Sequence, residues 1–189
     1  QAAGKVSVRN RLPAQRIFTT PAGETVVDFG QNMAGRVEIT VTGGPGDIAE
    51  LRCFEELDAD GNAYLANLRK ARTIMRYKFA QPGTVTWHPQ FTYMGFRYAL
   101  VVQWPGTPRA ENFTAHALHT AMEPAGQFQC SEPLVNGLHH NITWGLKSNF
   151  LDVPTDCPQR DERLGWTGDA QIFSETACWL ADTWTFYTK

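Results

Sequence analysis

The sequence predicts a multi-domain chain that is β first and α second: an antiparallel β-sandwich, then the opening helices of a larger helical unit. Three observations predict it. Up to about residue 122, short apolar runs alternate with clusters of turn-forming residues. Beyond that point the apolar spacing changes from period 2 to period 3.6. The helices so marked carry more apolar surface than two helices bury between themselves.

In chain order, residues 1–20 read as a linker or the remnant of an upstream domain, and the sandwich occupies 21–122. Its strands are "ETVVDFG" (24–30), "RVEITVTG" (36–43), "DIAELRCFEEL" (47–57), "RTIMRYKFA" (72–80) and "FRYALVVQW" (96–104). "GGPG", "DADGN" and "QPGT" between them are rich in residues that accept tight turns. Val37, Ile39 and Val41 alternate with Arg36, Glu38 and Thr40, as a half-buried strand requires. Two segments stand out, "DFGQNMAGRV" (28–37) and "FTYMGFRYA" (91–99). Exposed Gln, Asn and aromatics there would suit a sugar surface, but neither segment carries a reactive group, so core packing and turn chemistry are the preferred reading.

The helical unit begins at 123 and is unfinished at 189. Leu134, Leu138, Ile142, Leu146 and Phe150 fall at steps of four, which predicts a helix over about 132–150 with Ser131 as its N-cap. Ile172, Phe173, Ala177, Leu180 and Trp184 mark a second helix, from near Asp169 almost to the C-terminus. Asp169 at its start suits the positive end of the helix dipole.

Composition narrows the partners. A net charge of -2 over 189 residues gives no basic footprint for nucleic acid, and no apolar run is long enough to span a membrane. The segment "QAAGKVSVRN" has neither an initiator Met nor an apolar leader core, so upstream sequence is expected outside this chain. Cytoplasmic, periplasmic and secreted locations all stay open. Cys53, Cys130, Cys157 and Cys178 show no metal spacing and read as free thiols, mostly buried. His139 and His140 are adjacent, about 100° apart on a helix, and make no chelating pair. No metal or other cofactor is expected.

The chemistry gathers in "DCPQRDERLGWTGD" (156–169), between the two helices. Glu162 is flanked by Asp161 and Arg163 and followed by Trp166. An aromatic wall and neighbouring carboxylates raise a carboxyl pKa toward general-acid use, whereas pairing with Arg160 or Arg163 lowers it. Asp156 and Asp169 suit sugar hydroxyls, and Trp166 a sugar ring. The plainer alternative is structural: Asp156 and Asp169 as helix caps, Arg160 and Asp161 as an ion pair.

The longer stretch "DVPTDCPQRDERLGWTGDAQ" (152–171) resembles the signature of the bacterial α-L-rhamnosidases of glycoside hydrolase family 78. "VDFGQNMAGRVEI" (27–39) and "FTYMGFRYA" resemble that family's β-sandwich segment, although Met94 stands where members usually carry His. The resemblance covers nearly everything after about residue 17. It implies an antiparallel β-sandwich followed by the first helices of an (α/α)6 barrel, incomplete in this chain. It implies an inverting hydrolase acting on a terminal α-L-rhamnose of a rhamnose-containing carbohydrate. Carried onto this sequence, Glu162 is the general acid, and Asp156, Arg160, Trp166 and Asp169 hold the sugar in the −1 subsite. The family's base lies later in the barrel, beyond Lys189. The remainder of that barrel, from the same polypeptide or another chain, is therefore the expected partner, and the segment alone is expected to be inactive. A non-catalytic carbohydrate-binding sandwich with a helical interaction element is the competing reading.

Overall fold

The computed structural model of the chain describes residues 4–189. Ten strands precede the helices: β1 (Val6–Pro13), β2 (Arg16–Thr19), β3 (Thr25–Gly43), β4 (Ile48–Phe54), β5 (Glu56–Leu57), β6 (Ala63–Tyr64), β7 (Ile74–Lys78), β8 (Gly83–Trp87), β9 (Met94–Gln103) and β10 (Phe113–Thr120). Eight of them form one antiparallel sheet in the order β1-β10-β3-β9-β4-β7, with β2 and β8 also paired to β3; β5 and β6 make a separate hairpin. Residues 6–19, within the segment read from sequence as a linker or the remnant of an upstream domain, supply β1 and β2 to this sheet. Residues 1–3 lie outside the described region.

The two runs read as separate strands at 24–30 and 36–43 are one 19-residue strand, β3. Its length lets it pair along different stretches with β2, β9, β10 and β8, so the sheet curls around it. One core fills the curl, with Val27, Phe29, Ile39, Phe96 and Phe113 each at most 1% exposed. Val26, next to Val27, faces a second cluster with Phe54, Leu68 and Tyr98. Successive strand residues point to opposite faces, so this part of the sheet is buried on both sides.

The pairing of β3 with β9 slips between Asp28 and Met33, and the residues between bulge outward. Gly30 adopts φ +76°, which a residue without Cβ enters freely, and its N–H donates to Asp28 Oδ1 at 2.8 Å. The Asp28 carboxylate also accepts from Arg97 Nε (3.0 Å), Arg97 Nη2 (3.2 Å) and Arg16 Nε (3.2 Å). Burial pushes this carboxyl up, but the Arg97, Gly30 and Arg16 contacts outweigh it and hold Asp28 below the ordinary carboxylate value. An ionised Asp28 therefore fixes the shape of the bulge.

After β10 the chain enters α1 (Pro133–Asn149). Its N-cap is Glu132, whose side chain accepts from Leu134 N at 3.0 Å, rather than Ser131. The short strands β11 (Phe150–Leu151) and β12 (Val153–Pro154) follow, then the loop 155–166, α2 (Thr167–Leu180) and α3 (Trp184–Tyr187). The second helix thus ends well before the C-terminus, where Ala181 turns extended and bridges to Pro124. Leu146, Phe150, Ala177 and Phe186 make a small core, with Phe150 stacked on Phe186 at 4.4 Å. The outer members of both predicted stripes are uncovered: Leu134, Ile172 and Trp184 are 82%, 83% and 73% exposed. Among the bonds that fasten the helical unit to the sheet are Ala34 N to Ser148 Oγ (3.2 Å) and Asp152 N to Thr120 Oγ1 (2.9 Å). All four cysteines are free; Cys53 and Cys157 are buried, but Cys178 is exposed. No described helix is long and apolar enough to cross a membrane.

Candidate active site

The loop 155–166 is seated on the sheet through the segment "FTYMGF". Gly95 N donates to Pro158 O (2.9 Å), and Arg163 Nη1 donates to Tyr93 O (2.8 Å). A Cβ on Gly95 would lie 2.8 Å from both Cβ and N of Gln159 and 2.9 Å from Pro158 Cγ, so only glycine permits this approach. Met94, beside it, is core at 5% exposure. The loop closes on itself through Trp166 N to Pro154 O (2.9 Å) and Thr155 N to Asn149 O (2.8 Å).

Within this frame Glu162 is gripped by two guanidiniums. Its Oε2 accepts from Arg160 Nε at 2.8 Å and faces Arg160 Nη2 at 2.6 Å; its Oε1 accepts from Arg69 Nη1 at 2.7 Å. The two bonds from Arg160 and that from Arg69 pull the Glu162 carboxyl down to about 2. Of the two directions open from sequence, the structure selects the lowered one. Asp156 is near: one oxygen of each carboxylate and the Cys157 sulfur lie within 4.8 Å of one another.

Asp156 and Asp169 line one cleft of about 310 Å³ between α1, β12 and α2, together with Asn149, Thr155 and Phe173. Asp169 occupies the first turn of α2. Asp156 also lines a second cleft, of about 390 Å³, whose other walls are Gln31, Asn32, Glu55 and Trp144. The β3 bulge delivers the first two: Gln31 Oε1 accepts from His140 Nε2 (2.7 Å), and Asn32 Nδ2 donates to Glu55 Oε1 (2.9 Å). Burial pushes the Glu55 carboxyl up, against the opposing bond from Asn32. A carboxylate, amides and an indole in one concave wall are groups suited to a polyhydroxylated ligand.

Of the residues singled out from sequence, Asp156, Arg160 and Glu162 are thus brought together, and Asp156 and Asp169 share a cleft. Trp166 lines neither cleft and is 54% exposed. Sequence reading missed Arg69, Gln31, Asn32 and Glu55, the middle two from β3 and the others from the connections around it. The out-turned polar pair in "DFGQNMAG" was the available signal, and it was assigned to turn chemistry. A larger cleft of about 700 Å³, lined by His119, Phe128, Lys147 and Trp179 among others, contains no carboxylate of the kind glycoside hydrolysis commonly uses.

The architecture is thus a curled antiparallel sheet holding a carboxylate-and-arginine loop against the first helices of a second unit. Residues 18–119 match the bacterial alpha-L-rhamnosidase concanavalin-like domain, and 123–189 the bacterial alpha-L-rhamnosidase 6 hairpin glycosidase domain. The chain belongs to the bacterial α-L-rhamnosidase family. It is 43% identical over 189 residues to an α-L-rhamnosidase of Streptomyces avermitilis, covering all of this chain and 18% of that protein. The crystal structure of a Streptomyces avermitilis α-L-rhamnosidase complexed with L-rhamnose superposes with a TM-score of 0.94 at 42% identity, over 100% of this chain and 18% of that one. An α-L-rhamnosidase from Dictyoglumus thermophilum gives 0.93 at 37% identity, over 99% and 21%. The chain therefore spans about a fifth of the length of these relatives.

Proposed function

We propose that this chain is the acid-bearing part of an α-L-rhamnosidase that removes terminal α-L-rhamnose with inversion. The observation that carries the reading is the convergence of Glu162, Arg160 and Asp156 beside a cleft that Asp169 also lines. Glu162 protonates the departing glycosidic oxygen; Asp156 and Asp169 accept bonds from sugar hydroxyls, Arg160 donates one, and Trp166 closes over the ring. A carboxyl held near 2 is ionised at neutral pH and cannot act as an acid as it stands. Bound substrate recruits Arg160 to a hydroxyl, and removing that guanidinium from Oε2 lets the carboxyl rise and take up a proton.

Inversion needs a second carboxylate about 6.5–9.5 Å from the acid, leaving room for water. Asp156 lies too close to Glu162 to serve. Following the family resemblance, the base is placed outside these 189 residues, in the rest of the barrel, and the chain alone is expected to give only background hydrolysis of an aryl α-L-rhamnoside. In the complete enzyme, Glu162→Gln should cost about 10²–10⁴-fold on a rhamnoside with a poor leaving group. The loss should be smaller on an activated aryl rhamnoside, where the leaving group needs no proton. Equal losses on both substrates would remove Glu162 from the acid's role. Full turnover by Glu162→Gln would favour the competing reading, in which the sandwich and its cleft only bind carbohydrate.

A further inference from the structure

The sheet brings together Glu38, His88 and His116, residues that no spacing along the chain connects. Glu38 pairs with Thr114 on β10, and His116 lies two residues further on the same face of that strand. On the other side of β3, Ile39 pairs with Trp87, the last residue of β8, so His88 comes alongside. One ligand atom from each of the three lies within 4.8 Å of the other two.

His116 is only 1% exposed, yet neither of its ring nitrogens has a hydrogen-bond partner. In the neutral ring one of them carries a lone pair, and a buried polar group is expected to be satisfied. Its Nε2 sits 3.5 Å from Glu38 Oε1. That is too long for an ordinary N–H···O bond, which spans about 2.7–3.2 Å. It is close to the roughly 3.4 Å edge set by a tetrahedral zinc with N and O ligands at about 2.0–2.2 Å. His88 Nδ1 lies 3.2 Å from Pro89 O. A carbonyl only accepts, so Nδ1 holds the proton and Nε2 keeps the free lone pair. Histidines that bind metals are commonly oriented by such a bond.

We propose that Glu38, His88 and His116 form a divalent transition-metal site, zinc by its ligand set, that clamps β10, β3 and the segment after β8. Two imidazoles and a carboxylate suit zinc better than calcium or magnesium, and three protein ligands leave the fourth position to water. Two cations face the cluster. Arg11 Nη1 is 3.9 Å from Glu38 Oε1 but its side chain is 65% exposed and free to swing into solvent. Arg36, which pairs across from His116, has its Nη1 engaged by Pro89 O (3.0 Å) and Gln90 O (3.4 Å).

The test is metal titration of the chelator-treated chain with cobalt(II), read by its ligand-field absorption, and with zinc in competition. One equivalent of cobalt with a tetrahedral-type spectrum, displaced by zinc, is expected, along with a zinc-dependent rise in Tm. His88→Ala and Glu38→Gln alter partly exposed side chains and should fold; each should weaken binding on the order of tenfold or more and abolish the rise in Tm. A parent chain that takes up no metal would overturn the proposal, as would variants that bind as tightly as the parent.

Discussion

Replacing Gly95 by alanine puts a methyl carbon where the loop 155–166 already is. Its ideal position is 2.8 Å from Gln159 Cβ and 2.9 Å from Pro158 Cγ, against an ordinary carbon–carbon contact of about 3.5–4.0 Å. The neighbours include loop backbone, Gln159 N at 2.8 Å, so no side-chain rotation relieves the overlap. The loop must retreat by roughly 1 Å, at about 1–3 kcal/mol for overpacking. In a chain of this size that lowers Tm by roughly 2–12 °C. In the complete enzyme the same retreat misplaces Glu162, and a 1 Å error in a reacting group costs on the order of 10²-fold in kcat. The assays are thermal unfolding of the chain and rhamnoside kinetics of the complete enzyme. Gly137→Ala is the control, since its Cβ in α1 would meet nothing within 4 Å; alanine there should stabilise by up to about 1 kcal/mol. A Gly95→Ala protein with the parent's Tm and kcat would refute the claim that the loop is seated on this glycine.

Carbon-detected NMR titration of the chain should find the Glu162 carboxyl with a midpoint near 2, rising in Arg69→Met and more in Arg160→Met; a parent value near 4.5 would mean the two guanidiniums do not grip it. Because the folded value lies below the unfolded one, these contacts stabilise the chain above about pH 4.5, and that contribution disappears as the pH falls toward 2. Trp166→Ala should leave the Tm of the chain within about 1–2 °C of the parent, since a half-exposed side chain adds little to packing, while weakening substrate binding and turnover in the complete enzyme; a large fall in Tm with unchanged kinetics would make the indole structural.

Local sequence carries the strands whose apolar residues alternate, such as Arg36–Val41, because side-chain period follows directly from backbone geometry. It does not carry β1, an edge strand whose "VSVRNRLP" is exposed at most positions and thus lacks a buried face to betray it. Nor does it show that 24–30 and 36–43 are one strand: Gly30 and the Gln-Asn pair read as a turn, while in the fold they are a bulge locked by Asp28. The site divides along the same line. The charges of 156–169 are visible as a cluster because they are contiguous. The sign of the shift on Glu162 is not, because one of the two guanidiniums that set it, Arg69, is 93 residues away in sequence. The exposed faces of Ile172, Trp179 and Trp184 agree with the expectation, drawn from excess apolar surface, of further helices packing on these.

The pairing of β1 with β10 has a temporal consequence. Val6 lies against Thr120, so β1, once it leaves a ribosome, lacks this partner until roughly 110 further residues are made, on the order of ten seconds of synthesis. During that interval the stretch of β3 that receives β10 has emerged with that border unzipped, and Val37 and Ile39 are exposed to any other nascent strand. Closure of the sheet waits on the segment "FTAHALHT", and only then does Thr120 become available to receive Asp152 and the loop behind it. The order of synthesis thus makes assembly of the loop 155–166 conditional on a finished platform.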